Sequence, residues 1–209
     1  DVERVTCPVV LIDRLTQCGW CDAVGFDNYL GGRLAAQYLL EGGHKRIGIV
    51  TGDVAESSAA DRRRGFVDAI EQAGERFDPA LCVAGDYRFA SGYRAADRII
   101  DGGATAVFCC NDVMALGFRQ RMAERGLHVT EDMQVIGYDN ILKRFGLGWR
   151  MTTVEQSVGD LAAACWGMLG GRIDGVVNGG GAGADAGRPW LAEPQVKVLT
   201  PKLVQAACA

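Results

Sequence analysis

The fold is decided by three apolar runs that end on Asp or Asn: Val24-Gly25-Phe26-Asp27-Asn28, Val107-Phe108-Cys109-Cys110-Asn111-Asp112 and Val135-Ile136-Gly137-Tyr138-Asp139-Asn140. Two weaker copies of the pattern lie at residues 9–13 and 47–53. Short, nearly continuous apolar segments are typical of strands buried on both faces, as in a parallel sheet. The carboxyl ends of parallel strands meet at one edge, where small ligands bind in open α/β sheets, so the pattern predicts a ligand site there.

Helical patterns separate these strands. Apolar residues recur at helical spacing after residues 28, 59, 91 and 112, and a glycine closes each stretch. Asn28 and Asp112 are predicted to cap the helices that follow them. Strands alternate with helices from about residue 46 to residue 140, which predicts an α/β fold with a doubly wound parallel sheet.

The pattern changes after residue 150. Residues 151–156 predict a short β-rich link into another helix, and the Gly-rich residues 179–187 predict a mobile loop. A last strand pair is predicted around residues 196–199 and 203–204. The elements before residue 43 have too few partners to form a sheet alone, so they are predicted to be the end of an incomplete N-terminal subdomain.

Composition excludes several classes of function. The 209 residues are 48% hydrophobic with a net charge of -4, so they predict a globular protein without the basic surface that nucleic acid requires. No apolar stretch is long enough to span a membrane, and the chain starts without an apolar signal region. The eight cysteines form no regular framework, which favours a reducing cytoplasm. Cys18 and Cys21 have the spacing of metal ligands but lack a second pair, so no metal site and no cofactor are predicted.

Signatures of catalysis are also missing. The sequence contains no phosphate-binding P-loop, no zinc-protease motif, no nucleophile elbow and no dinucleotide-binding fingerprint. Its two histidines, His44 and His128, have no candidate nucleophile beside them, and His44 is interpreted as a residue that complements a helix end. The sequence therefore predicts a protein that is not an enzyme.

Arg62 is the most informative charged residue. It lies four positions before Phe66, on the predicted buried stripe of its helix, with Ser58 one turn ahead of it. A buried guanidinium needs partners, and Asp139 at a strand end can supply one. Such a donor fork beside an acceptor suits the hydroxyls of a sugar or the edge of a nucleobase. The alternative is an internal salt bridge that holds the sheet edge.

Four further residues are predicted to reach the ligand site. Tyr87 follows a strand and can stack on a flat ligand face, and Asn111 offers both a donor and an acceptor at another strand end. Gln156 and Asp13 are predicted to enter the site from the other side. With Arg62, Ser58 and Asp139, they complete the predicted ligand-binding set.

These residues lie in segments that resemble the effector-binding domain of the LacI/GalR family of bacterial transcription regulators. Seven segments match in family order: residues 9–14, 24–32, 43–48, 62–66, 111–117, 135–140 and 152–156. The resemblance implies a periplasmic-binding-protein-like fold, in which two α/β subdomains are joined by three crossings and hold the effector in the cleft between them. The crossings are expected near residues 43, 153 and 190, which gives an N-terminal subdomain of residues 1–42 and 154–188 and a C-terminal subdomain of residues 43–153 and 189–209.

The family resemblance also implies roles for individual residues. Family members commonly read the effector with Arg in the R-x-x-G-F segment, here Arg62, and with Asp in the I-G-Y-D segment, here Asp139. The aromatic residue after the G-D pair is Tyr87, the N-D residue is Asn111, and the Asp of the first crossing is Asp13. The resemblance further implies a homodimer that binds operator DNA through an N-terminal helix-turn-helix, which this chain lacks.

The sequence therefore predicts an effector-binding domain that takes a small polar ligand, a sugar before a purine, and so modulates operator binding in the cytoplasm. The alternative is a solute-binding protein of a transport system with the same fold. No membrane partner is expected for the regulator.

Overall fold

The computed structural model describes residues 7–13, 15, 20–145, 151–178 and 193–206. The chain divides into two compact α/β units. Unit 1 is formed by Asp1–Asp27 and Ser157–Thr200, and unit 2 by Asn28–Gln156 and Pro201–Ala209. The chain passes from one unit to the other three times, so the three crossings of the predicted fold are present.

The positions of the crossings differ from those expected from the sequence. The first crossing falls between Asp27 and Asn28, before helix α1 (Asn28–Glu41) rather than after it. This helix packs against α2 (Ser57–Gln72). The approach is so close that a Cβ atom at Gly32 or at Gly65 would overlap the backbone of the opposite helix. Residues 28–42 therefore belong to unit 2 because two glycines let α1 pack tightly there.

Unit 2 is built on a six-stranded sheet in the order β4-β3-β5-β6-β7-β9. Its strands are β3 (Ile47–Thr51), β4 (Cys82–Ala84), β5 (Ala106–Cys109), β6 (Gln134–Asp139), β7 (Thr153–Glu155) and β9 (Lys202–Val204). All neighbours are parallel except β7 and β9, which are antiparallel. The helices of this unit are α1, α2, α3 (Phe89–Asp101) and α4 (Asp112–Glu124), with short 3-10 turns at Pro79–Leu81 and Leu142–Phe145.

The predicted alternation of strands and helices between residues 46 and 140 is confirmed. The central strands β3 and β5 are buried along their whole length, as their continuous apolar sequences predict. A row of aromatic rings crosses this core, with Phe66 stacked 5.2 Å from Phe108 and Phe108 tilted 6.1 Å from Tyr138. The row packs α2 against β5 and β6.

One prediction for the second half of the chain is confirmed and another needs correction. The predicted link at residues 151–156 contains strand β7, which pairs in register with β6 through Gly137 and Thr153. The two strands of the predicted last pair do not pair with each other. Strand β8 (Val196–Leu199) joins β2 (Asp22–Phe26) in unit 1, while β9 joins β7 in unit 2. The third crossing, between Thr200 and Pro201, separates them.

Unit 1 contains a parallel sheet in the order β1-β2-β8, where β1 is Val10–Ile12 and β2 is Asp22–Phe26. Helix α5 (Val158–Asn178) packs against it. Arg172 of α5 donates to both carboxylate oxygens of Asp22, with Nε–Oδ2 and Nη2–Oδ1 distances of 2.8 and 2.6 Å. Asp22 also accepts from the amide of Gln195, so one buried carboxylate joins β2, α5 and the segment before β8.

Residues 179–187, predicted to form a mobile loop, lie outside the described residues. Among the helices that the structure describes, none is both long and apolar enough to cross a membrane.

Candidate functional site

The carboxyl edge of the unit 2 sheet brings together most of the predicted ligand residues. Tyr87 follows β4, Asn111 follows β5, and Asp139 is the last residue of β6. Arg62 and Ser58 lie in the first turns of α2, which follows β3. The parallel register of the sheet is the reason that residues so far apart in sequence share one edge.

Arg62 is buried in the first half of α2, with 4% of its surface exposed. Its Nε donates to Oδ1 of Asn28 at 2.8 Å, and its Nη1 donates to the carbonyl oxygen of Cys110 at 2.7 Å. The guanidinium carbon lies 3.8 Å from the centre of the Tyr138 ring, which is a close cation–π contact. Burial disfavours the charged form, but interactions with Tyr138 and Asp139 outweigh it and raise the pKa of Arg62.

The predicted burial of Arg62 is thus confirmed, but its hydrogen-bond partners are an amide and a backbone carbonyl. Nε and Nη1 therefore serve as internal donors within unit 2. Among the described residues, the internal role of Arg62 is thus made of hydrogen bonds to neutral groups and not of a hydrogen-bonded salt bridge, and its role as a ligand donor stays a prediction.

Asn28 and Gln156 extend this arrangement into a polar network. Oδ1 of Asn28 also accepts from the hydroxyl of Tyr138 at 3.4 Å and from Nε2 of Gln156 at 3.3 Å. The same Nε2 lies 3.3 Å from the Tyr138 hydroxyl. Burial raises the pKa of Tyr138 well above its usual value, so this ring stays neutral beneath the guanidinium of Arg62.

Asn28 and Tyr138 are the residues whose roles the sequence analysis missed. Asn28 was predicted to be a helix cap, yet it is the first residue of α1 and its side chain lies in the network. For Tyr138, the sequence predicts only a position in an apolar strand. The signal for Asn28 was present, because it ends an apolar run in the same way as Asn111.

Tyr87 and Ser58 lie together at the β4 side of the edge. The ring of Tyr87 packs directly on Gly52, where a Cβ atom would overlap it. Burial raises the pKa of the Tyr87 hydroxyl, while Arg62 and a hydrogen bond with Ser58 act in the opposite direction. Tyr87 has a φ of 64°, a left-handed conformation that is unusual for a non-glycine residue.

The residue that caps α4 is Asn111 and not Asp112, which the sequence predicts as the cap. Asn111 caps α4, because its Oδ1 accepts from the amide of Met114 at 2.8 Å. Its Nδ2 donates to the carbonyl oxygen of Tyr87 at 2.9 Å. Asp112, predicted as the cap, is the first residue inside the helix and accepts from the Thr153 hydroxyl at 2.7 Å and the Ile141 amide at 2.8 Å. Both Asn and Asp are good cap residues, so their adjacent positions made the sequence ambiguous.

Asp139 and Asn140 form a second left-handed turn, with φ angles of 98° and 56°. Asp139 is half-buried, and its charge contributes to raising the pKa of Arg62. Nδ2 of Asn140 donates to Oε1 of Glu155 at 2.8 Å, and this bond links the turn to β7. Non-glycine residues in such conformations are held by their surroundings and often belong to functional sites.

Burial raises the pKa of Asp112 to about 6, although its hydrogen bonds with Thr153 and Ile141 oppose the change. The folded state thus binds a proton more tightly than the unfolded chain, whose pKa is near 3.8. The free energy of unfolding is therefore expected to rise as the pH falls from 7 to 5, by about 1 kcal/mol from this group. Urea denaturation of the parent and of Asp112→Asn at both pH values isolates the contribution. Identical pH dependence in the two proteins would contradict it.

Asp13 belongs to unit 1, whereas the other predicted ligand residues belong to unit 2. It follows β1 with a φ of 60°, and its amide donates to the carbonyl oxygen of Val24 at 2.8 Å. Cys18 of the ligand-like cysteine pair lies outside the described residues. Within the described residues, no group of three or more His, Cys, Asp or Glu side chains is arranged to hold a metal ion.

Comparison with known proteins identifies a family model and curated relatives. A family model described as "Periplasmic binding protein-like domain" matches residues 36–185. The HTH-type transcriptional repressor PurR of Pasteurella multocida (strain Pm70) is 38% identical over 169 residues, which are 80% of this chain and 51% of that protein. The chain thus spans about half the length of this curated relative.

Solved structures show the same likeness. A complex of the transcriptional regulator CelR with cellobiose has a TM-score of 0.79 at 27% identity, over 95% of this chain and 58% of the other. A LacI family transcriptional regulator from Enterococcus faecium with bound ribose has a TM-score of 0.80 at 26% identity, over 95% of this chain and 69% of the other.

Proposed function

The chain belongs to the LacI/GalR family of effector-binding domains with the periplasmic-binding-protein-like fold, and from this membership we propose that it is the ligand-sensing part of a bacterial transcriptional regulator. The proposed site is the carboxyl edge of the unit 2 sheet. The observation that carries the proposal is the placement of a guanidinium, an aromatic ring and a carboxylate at that edge, from Arg62, Tyr87 and Asp139. Ser58 and Gln156 complete the proposed ligand contacts of unit 2, whereas Asn111, which the sequence predicts as a contact, belongs to the site through its hydrogen bond to the carbonyl oxygen of Tyr87. Asp13 of unit 1 remains a proposed contact.

The chemistry of these groups suits a small ligand with hydrogen-bond donors and acceptors around a flat or ring-shaped body. Arg62 offers a donor, Asp139 accepts from a hydroxyl or a ring N–H, and Tyr87 supplies a stacking surface. Sugars and purine bases both meet this description. Neighbours with bound ribose or cellobiose support a sugar, whereas the relative at higher identity is named PurR, which supports the purine alternative.

The remaining parts of the proposal concern the whole protein. The relative is named as an HTH-type repressor, which favours a regulator over a solute-binding protein of a transport system. We propose that operator DNA is bound by a helix-turn-helix outside these 209 residues, in a homodimer in the cytoplasm where the DNA lies. Differential affinity of the effector for two conformations would then shift operator binding. In this proposal the chain carries no catalytic role.

The test is ligand binding to the purified chain and to Asp139→Ala. Thermal-shift measurements with hypoxanthine, guanine, adenine, D-ribose, D-glucose and cellobiose select the ligand class, and calorimetric titration gives the Kd. Loss of the carboxylate is expected to weaken binding by about 100-fold, because a charged hydrogen bond to the ligand disappears. Asp101→Ala, at the exposed far end of α3, is the matched control and is expected to bind like the parent. Stabilisation by no member of the panel, or equal binding by Asp139→Ala, would count against the proposal.

A further inference from the structure

Two adjacent residues at the start of α4 each bind one of the left-handed turns of the proposed site. Asn111 and Asp112 directly follow β5, in the middle of the unit 2 sheet. Asn111 is the N-cap with an extended backbone and Asp112 is the first helical residue, and their side chains reach different neighbours. Asn111 contacts the turn that carries Tyr87, and Asp112 contacts the turn that carries Asp139.

Asn111 connects the Tyr87 turn to the helix. Its Oδ1 accepts from the Met114 amide in the first turn of α4, and its Nδ2 donates to the carbonyl oxygen of Tyr87. The side chain is 7% exposed. One amide group therefore fixes the peptide that joins Tyr87 to Arg88 at a set distance from α4.

Asp112 connects the Asp139 turn to β7. Oδ2 accepts from the amide of Ile141, two residues after Asp139, and Oδ1 accepts from the hydroxyl of Thr153. Asp112 is 1% exposed. A Cβ atom at position 137 would overlap Oδ1, so Gly137 provides the space in which the carboxylate lies.

The turns need such support because their backbones are unfavourable. Tyr87, Asp139 and Asn140 have φ angles of 64°, 98° and 56°. For residues with a Cβ atom, left-handed conformations cost about 1 kcal/mol or more each, and they persist only where the surrounding structure holds them. Asn111 and Asp112 already have protein partners at all of their side-chain heteroatoms.

We propose that Asn111 and Asp112 are the positioning residues of the ligand site, with Asn111 holding the Tyr87 turn and Asp112 holding the Asp139 turn. Both residues lie at the start of α4, and each positions its turn through a hydrogen bond. The assignment of the turns to a ligand site rests on the proposed function. The stabilisation of the two turns by Asn111 and Asp112 does not rest on the proposed function, and it can be measured without a ligand.

Residue-resolved amide exchange by NMR tests the proposal. Asp112→Ala is expected to speed exchange of the Ile141 amide by about tenfold or more. Asn111→Ala is expected to speed exchange of the Arg88 and Met114 amides by a similar factor. Each variant is the control for the other, because the Ile141 amide should not respond to Asn111→Ala. Asp112→Asn, which keeps an oxygen for Ile141, is expected to restore most of the protection. Asp112→Ser, too short to reach Ile141, replaces Asp112→Ala if the alanine variant does not fold.

Unchanged exchange at Ile141 and at Arg88, or equal acceleration throughout unit 2, would overturn the proposal.

A double-mutant cycle with hypoxanthine and D-ribose as probes adds the functional readout. Asp112→Ala is expected to weaken binding about tenfold in the parent and little in Asp139→Ala, whereas it should act additively with Tyr87→Ala. Local acceleration without binding of either probe would support the hold on the turns and count against the proposed function instead.

Discussion

Replacing Arg62 by alanine is expected to lower the free energy of unfolding by about 3 to 5 kcal/mol and to abolish ligand binding. The substitution removes a cation–π contact on Tyr138 and two charged hydrogen bonds. It also leaves the Cys110 carbonyl without its guanidinium donor in a buried position, which carries a further desolvation cost. Urea denaturation followed by circular dichroism gives the free energy, and calorimetric titration gives the affinity.

Two variants separate the contributions of Arg62. Arg62→Met keeps an apolar chain over the Tyr138 ring but removes all donors, so it is expected to recover part of the stability and none of the binding. Arg63→Ala is the matched control, since its side chain is exposed on the next position of the same helix, and it should change stability by less than about 0.5 kcal/mol. An Arg62→Ala protein as stable as the parent would show that the network does not support the sheet edge.

Replacing Arg172 by alanine is expected to destabilise unit 1 by about 3 to 5 kcal/mol. The change leaves the carboxylate of Asp22, which is 3% exposed, without its bidentate partner. Lys45→Ala is the control, because the Lys45–Glu75 pair has a Lys side chain that is 77% exposed and is worth less than about 0.5 kcal/mol. A thermal unfolding series compares the variants.

The Arg172 pair also predicts the acid sensitivity of unit 1. Hydrogen bonding with Arg172 lowers the pKa of Asp22 below its usual 3.8. Because the folded pKa is depressed, the stabilisation is complete above about pH 4 and is lost as the pH falls through the folded pKa. The double variant Asp22→Leu/Arg172→Met is expected to recover most of the stability at neutral pH, because no charge is left buried. Equal loss in the single and double variants would contradict the pairing.

Much of the fold follows from sequence periodicity. Strands β3, β5 and β6 were predictable because continuous apolar runs are favourable only when both faces of a strand are buried. The burial of Arg62 was predictable because it lies four positions before Phe66 on the same helix. These features are local or depend on a single period, so no knowledge of distant contacts was needed.

The remainder depends on contacts between distant segments. Sequence alone assigned α1 to the wrong unit, because only its approach to α2 through Gly32 and Gly65 shows where it packs. The sequence also predicted that Asp112 caps α4, although Asn111 is the cap residue. The decisive contact for Asp112 is Thr153, forty-one residues away, and a hydrophilic residue beside another good cap carries no local sign of that partner.

By itself, the sequence determined that parallel strands end on polar residues at one edge, since hydrophobic burial selects the strands and polar residues end them. Only the tertiary structure decided which of those residues are hydrogen-bonded within the protein at that edge. Hydrogen bonds need positions within a few tenths of an ångström, which the packing of helices and strands sets and periodicity does not. For that reason Asn28, Asn111 and Asp112 are bound within the protein, while the Asp139 turn that Asp112 holds supplies the carboxylate of the proposed site.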